Sequence, residues 1–427
     1  MTFRSHPRGV MSTIITLLMA TVAVPASGQQ VERLDLAILD TGMVKGHILR
    51  VDIDPGTLQA EPADPPELAL DAWPGGVHVH GSLWLKGIPP RVLIPMDIDL
   101  SKGAVKVGAV KIGEFPPVPP FTKNVQFPVQ VTLRQGSHTA TAHQTVTLLL
   151  PTVIVPGYAN ELNGHDENAL AAFRRYGYRD SGRQPTLFWF EYPSHALSLE
   201  QAAHALADYV HQTVLPSAYA AKVNVVGYSL GGLMARWNVQ FDVDGWGTLV
   251  NQLLLVGVPN EGSLFAYIYR NIPGFVPYGY LAHTPAAQAM MPTFPYWRGS
   301  TADAWSLPPD DANPVLAELN RRPMPSGVHV EVFYGSAQRT LTGVTNDGAP
   351  TFGPGDGIVP AASAEGLPIQ GGSGVPALLA PNVVHVDLGA VGHMQLLLDV
   401  VVDRVTTALL RRIDNSAEAS PRVPQGQ

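Results

Sequence analysis

The chain has 427 residues, 45% of them apolar and 15% charged, with a net charge of −8 and no cysteine. That composition builds a large core and excludes extensive disorder, and the length suggests about two domains. A negative balance without basic clusters excludes a nucleic-acid surface, and the lack of Cys excludes a disulfide framework and thiol chemistry.

The first residues read as an export leader. Arg4 and Arg8 precede an apolar run from Thr13 to Val24, and Ala26-Ser27-Gly28 supplies small residues for cleavage, expected after Gly28. The run is shorter than the roughly 20 residues a membrane span needs. A secreted or periplasmic protein without a transmembrane span is therefore expected.

From Val31 to about Leu150 short runs alternate apolar and polar residues between Pro and Gly breaks, as in Val77 to Leu85, Val125 to Leu133 and Thr139 to Leu149. Period-two runs at this spacing predict antiparallel strands, so residues 29–150 read as a β-sandwich-like accessory domain. Glu114 to Thr122, with Pro116, Pro117, Pro119 and Pro120, reads as a loop. His78 and His80 fall on one strand face, a spacing that fits a metal but fits a solvated face better.

The pattern changes at Pro151. Thr152 to Val155, Val223 to Gly227, Leu253 to Val258, Val328 to Tyr334 and Val383 to Leu388 are continuous apolar runs, as in strands covered on both faces. Between them Ser198 and Gln201 have capping-box spacing, and Leu199, Ala202, Ala203, Leu206, Ala207 and Val210 share a helical face. A further apolar helix is expected from Met394 to Leu409. Alternating strands and helices predict a mostly parallel sheet with helices on both faces over residues 151–413. The polar tail, residues 414–427, is expected to be disordered.

The sharpest chemical signal is Gly227-Tyr228-Ser229-Leu230-Gly231 between a predicted strand and a predicted helix. A G-x-S-x-G turn that tight strains the Ser backbone and needs minimal residues two before and two after it. Ser229 is thus the expected nucleophile. The oxyanion donors expected of this fold are the N–H of Leu230, next after the nucleophile, and an N–H from the loop ending the first buried strand. Val155-Pro156-Gly157-Tyr158 occupies that place, which points to Tyr158.

An acid and then a His should follow in chain order. Asp356, in Gly355-Asp356-Gly357, is the expected acid, with Asp347 a rival and Asp387 a weaker one. His393, after the last predicted strand, is the expected base, whereas His385 lies within a strand pattern and reads as structural. Asp242 and Asp244-Gly245 resemble the start of a calcium loop, but position twelve is Leu253 instead of Glu. His165, Asp166 and Glu167 are consecutive and do not converge readily on one ion. No metal and no cofactor are expected, and no phosphate-binding or dinucleotide Gly fingerprint is present.

Several of these elements together resemble lipases and acyltransferases of the lecithin–cholesterol acyltransferase type, from Pro151 to about Leu410. The points of likeness are Val155-Pro156-Gly157-Tyr158, Gly227 to Gly232, Val258-Pro259-Asn260-Glu261-Gly262-Ser263, Tyr334-Gly335-Ser336 and Gly355-Asp356-Gly357-Ile358-Val359-Pro360. The resemblance implies an α/β-hydrolase that acts on acyl esters of lipids through an acyl-enzyme on Ser229, and it favours Asp356 over Asp347. Phe190-Glu191-Tyr192-Pro193 stands where such proteins often carry Tyr-Asp-Trp-Arg, and without Cys a disulfide-closed lid is excluded. Residues 260–311, rich in aromatic residues and Met, read as a lid-like insert for an acyl chain or a lipid interface. The expected partner is a small-molecule or lipid ester. Other readings are an amidase or peptidase on the same fold, and a secreted binding protein that uses the β domain around an inert hydrolase.

Overall fold

The computed structural model describes residues 37–43, 48–54, 67–72, 77–82, 94–107, 110–115, 117–135, 138–158, 166–181, 185–264, 284–292, 313–344, 350–369, 374–410 and 413–414. The leader, all the insert aromatics, Asp347 and residues 415–427 lie outside the described residues.

Among the described residues the alternating N-terminal runs form nine strands: β1 (Ala37–Met43), β2 (Ile48–Asp54), β3 (Glu67–Ala72), β4 (Val77–Ser82), β5 (Ile94–Asp99), β6 (Ala104–Val107), β7 (Val110–Glu114), β8 (Asn124–Gln135) and β9 (His138–Leu148). β1-β2-β5-β6-β7 make one antiparallel sheet, and β9 and β3 flank β8 in another, with β4 beyond β3. Period two sends alternate residues inward. Leu49, Val51, Ile53, Met96 and Ile98 of the first sheet share one buried cluster with Leu68, Leu70, Val129, Val131 and Leu133 of the second. Two sheets face to face over one core make a β-sandwich.

After Leu150 the central strands are apolar on both faces, whereas Val384–Asp387, expected to be covered on both, is a largely exposed edge strand. β10 (Thr152–Val155), β11 (Leu187–Trp189), β12 (Val223–Tyr228) and β13 (Val250–Val256) are joined by β14 (His329–Tyr334) and, after the ribbon β15 (Gln338–Val344) and β16 (Pro350–Gly355), by β17 (Val384–Asp387). The order β11-β10-β12-β13-β14-β17 is parallel throughout. The described helices include α1 (Asp166–Arg175), α2 (Leu199–Tyr209), α3 (Leu230–Gln240), α4 (Pro285–Ala289), α5 (Pro314–Arg321), α6 (Ala361–Glu365) and α7 (Asp399–Leu410), besides short helical turns at Leu215–Ala218 and Trp246–Leu249. Val153, Val155 and Val225 pack with α2 and α3 on one face of the sheet. Ile154, Val226 and Leu254 pack with α1 and α7 on the other. This is the α/β-hydrolase fold. Among the described residues no helix is long and apolar enough to cross a membrane.

Two boundaries differ from the sequence reading. β13 begins at Val250 and stops at Val256, because Gly257 turns the chain at φ +58°. The helix expected from Met394 starts only at Asp399, after a single 3₁₀ turn at His393–Gln395. There the His393 N–H donates to the Asp356 carbonyl at 2.8 Å and the Gln395 side chain accepts from the Gly392 N–H at 3.2 Å. These bonds hold the turn apart from the helix.

The sandwich meets the sheet at the strand starts. Phe121 forms a bridge with Ala220, just before β12, and the Tyr219 hydroxyl donates to the Val118 carbonyl at 2.6 Å. Asn124 is buried, accepts from the Leu150 N–H at 2.7 Å and donates to the Leu409 carbonyl at 3.4 Å. The last described strand, β18 (Ile413–Asp414), then pairs parallel with Asn124 and Val125 of β8. Asn124→Ala strands a buried N–H and a carbonyl, which costs about 1–3 kcal/mol. A urea titration is expected to show that loss, and an unchanged midpoint would mean that the junction does not depend on this side chain.

Candidate active site

β12 runs straight into α3, and the joint between them is Ser229 at φ 52°, ψ −123°. Such a conformation costs a non-glycine residue about 1–3 kcal/mol and persists only where its surroundings enforce it. Here the Ser229 N–H donates to the Val256 carbonyl at 2.9 Å and its carbonyl accepts from the Gly232 N–H at 3.0 Å. The glycines of the motif are required by crowding. A Cβ on Gly227 would lie 2.5 Å from the Gly232 Cα, and one on Gly231 would strike the Val155 and Pro156 carbonyls. A Cβ on Gly232 would strike Val258.

The three residues expected to act together meet in one line. His393 Nε2 is 3.1 Å from Ser229 Oγ, and His393 Nδ1 is 2.8 Å from Asp356 Oδ2. All three are buried, at 7%, 6% and 3% exposure for Ser229, His393 and Asp356, so bulk water does not compete for these bonds. The second carboxylate oxygen of Asp356 accepts the N–H groups of Ile358 at 3.0 Å and Val359 at 2.7 Å. Those donors fix the carboxylate plane and leave Oδ2 for the imidazole.

The other residues singled out in the sequence are engaged elsewhere. Asp387 accepts from Ser336 Oγ at 2.7 Å and from the Gly389 N–H at 2.8 Å, so it closes a turn after β17. His385 Nε2 lies 2.9 Å from the Leu378 carbonyl. Asp242 accepts from the Gly247 N–H at 2.8 Å, a turn-forming bond.

Both expected oxyanion residues lie beside Ser229. Leu230 is buried and opens α3. Tyr158 follows Gly157, where a Cβ would come 2.9 Å from the Ser229 Cβ. The Pro156-Gly157-Tyr158 loop therefore presses against the Ser229 turn. It is braced by the Tyr192 hydroxyl, which donates to the Pro156 carbonyl at 3.0 Å, and the Tyr158 hydroxyl lies 2.9 Å from Thr284 Oγ1 at the start of α4.

Two residues at the site escaped the sequence reading. Tyr228, read only as a filler position of the motif, donates from its hydroxyl to the His393 carbonyl at 2.8 Å, with its ring 5.1 Å from the imidazole. Burial and then the Asp356 charge push its phenol above the ordinary range, so it remains a neutral donor. Gly257 is the other. A Cβ there would strike Leu396 and lie 3.3 Å from both Asp356 Oδ2 and His393 Nδ1. A glycine directly after a buried strand was the available signal.

No family model matches the chain. Among solved structures it is similar to the mature form of the lipase BlEst2 from Bacillus licheniformis, with 14% identity, 62% of this chain and 92% of that one covered, and a TM-score of 0.42. It is also similar to the lin2722 gene product of Listeria innocua, at 14% identity, 62% and 96% coverage and a TM-score of 0.37. A third is carboxylesterase CesB from Bacillus subtilis, at 12% identity, 69% and 93% coverage and a TM-score of 0.33.

Gly257→Ala combines an unfavourable positive φ with a clash against Leu396, and is expected to cost about 1–3 kcal/mol in chemical denaturation. A midpoint equal to that of the unaltered protein would show that the loop has room to move.

Proposed function

We propose that this chain is a secreted serine hydrolase that cleaves carboxylic esters, with lipid esters as its substrate class, through an acyl-enzyme on Ser229. The observation that carries this reading is the unbroken hydrogen-bonded line from Asp356 through His393 to a Ser229 held at a strained turn. Such a line has a specific chemical use. His393 Nε2 takes the Ser229 hydroxyl proton as Oγ attacks the ester carbonyl, and Asp356 holds Nδ1–H and stabilises the imidazolium that forms. The N–H groups of Leu230 and Tyr158 act as donors to the oxyanion. Collapse breaks the ester C–O bond, and His393 returns the proton to the departing alcohol. Water then repeats the sequence to free the acid, and an alcohol in its place makes the same enzyme an acyltransferase.

Support for lipid esters comes from the motifs shared with the lecithin–cholesterol acyltransferase type and from the aromatic and Met residues of the 260–311 insert. Met290 and Met291, which lie in its described part, are buried. In the same reading residues 1–28 are a cleaved leader, 29–150 an accessory domain, 151–413 the hydrolase and 414–427 a tail. Export would place the enzyme outside the cytoplasm, where no cofactor and no metal is needed for this chemistry.

Hydrolysis of p-nitrophenyl esters from acetate to palmitate tests the proposal. Ser229→Ala is expected to lower kcat by about 10⁴-fold or more with the fold intact, and Asp356→Asn by about 10³-fold to 10⁴-fold. A rate that peaks at long acyl chains supports the lipid class, and one confined to acetate and butyrate makes the protein a short-chain esterase. Retained turnover in Ser229→Ala would overturn the assignment.

A further inference from the structure

The loop after β13, Val258-Pro259-Asn260-Glu261-Gly262-Ser263, is as buried as the core, yet none of its residues belongs to the line of Asp356, His393 and Ser229. Besides bonds to α6, from Asn260 Nδ2 to the Ala364 carbonyl and between Ser363 Oγ and the Glu261 N–H and Gly262 carbonyl, its polar groups converge on two places. One is a buried cation. Arg236, two turns into α3, is fully buried and donates through Nη1 to Asn260 Oδ1 and through Nη2 to Asn320 Oδ1, both at 2.9 Å. Asn320 in turn donates through Nδ2 to Glu261 Oε1 at 3.2 Å and to the Asn260 carbonyl at 2.8 Å. Arg236 and the buried Glu261 are thus opposite charges linked through one amide side chain. Burial pulls the guanidinium down to about 9 and Glu261 opposes that shift, so the group is a cation at neutral pH. Removing either charge strands the other, which rigidly fixes the loop to the nucleophile helix.

The other place is the turn that carries Asp356. Ser263 Oγ donates to the Ile358 carbonyl at 2.7 Å. That carbonyl and the Val359 N–H belong to the same planar peptide unit, and the Val359 N–H donates to Asp356 Oδ1 at 2.7 Å. A bond to the C=O end fixes the plane and also polarises the N–H end as a donor. A continuous series of hydrogen bonds therefore runs from Ser263 through the 358–359 peptide, Asp356 and His393 to Ser229 Oγ.

We propose that Ser263 is a positioning residue for the acid: mounted on the Arg236–Asn320–Glu261 relay, it orients the peptide unit that holds the Asp356 carboxylate against His393. Ser263 touches no reacting atom. Its role rests on the acid–base reading of Asp356 and His393 given above.

The test compares Ser263→Ala with Ser263→Cys, a near-isosteric change that keeps a weak donor. The first readout is the downfield proton-NMR signal of His393 Nδ1–H, which needs no turnover. In Ser263→Ala that signal is expected to move upfield and broaden, and in Ser263→Cys to fall between Ala and the unaltered protein. The second readout is p-nitrophenyl ester kinetics, where kcat should drop about 10-fold to 100-fold with KM unchanged. If Ser263→Ala does not fold, Ser263→Cys alone carries the comparison. An Nδ1 signal and a kcat equal to those of the unaltered protein in Ser263→Ala, or in Ser263→Cys where only that variant folds, would overturn the inference while leaving the esterase reading in place. A protein that turns over no ester but whose Nδ1 signal responds to Ser263 would keep the inference and sink the esterase reading.

Discussion

Helix α3 can begin directly beneath Ser229 only because Gly231 presents no Cβ to the carbonyl oxygens of Val155 and Pro156, and Gly232 none to Val258. That contact brings β10, β12, the loop after β13 and the helix start within van der Waals distance of one another. The positive φ of Ser229 follows from it, since the chain must reverse from strand to helix in one residue. So does the placement of the Pro156-Gly157-Tyr158 loop, which could not lie against Ser229 if the helix stood further from the sheet. The strain is local, but the parallel strands on either side of β12 share in holding it, since Ser229 N–H is anchored on β13 and Gly231 abuts β10.

The polar interior follows a second rule. A buried charge is tolerated where every group around it has a partner. Arg236 meets Gln240, Asn260 and Asn320, each through one nitrogen, and the amides pass the charge on to Glu261 and to backbone carbonyls. Such an arrangement adds little net stability compared with an apolar core, but it allows only one packing. It also ties α3, the loop after β13 and α5 into a single unit that holds the described start of the 260–311 insert.

How much of this was legible in the sequence depended on whether the cause was local. The G-x-S-x-G turn, the Ser198–Gln201 capping box and the doubly apolar strands each state their structure in consecutive residues. The capping box is present in both directions, at 3.0 and 3.2 Å. Asp356 and His393 were legible because chain order and flanking glycines narrow the choice, and both stand at hydrogen-bond distance. Arg236 was not, because on a helix an Arg reads as solvent-exposed unless the partners are known, and they come from 24 and 84 residues away. The late start of α7 was missed for a similar reason: the apolar pattern of Met394 to Leu409 is continuous, and only the tertiary bond from His393 N–H to Asp356 breaks it.

The junction at Asn124 has a consequence for how the chain is assembled in time. Its side chain joins β8 to the end of α7 across 285 residues of sequence, and β18 adds the last described residues to the sheet of the sandwich. The sandwich, made before the α/β domain, therefore lacks this partner for β8 until Ile413 and Asp414 are made. Contacts of such separation slow folding, because the ends of a long loop must find each other before the bond repays the lost entropy. The sandwich and the α/β domain are thereby coupled late, and a chain cut short before Ile413 would leave the start of β8 as an open strand edge, a template for pairing with other copies.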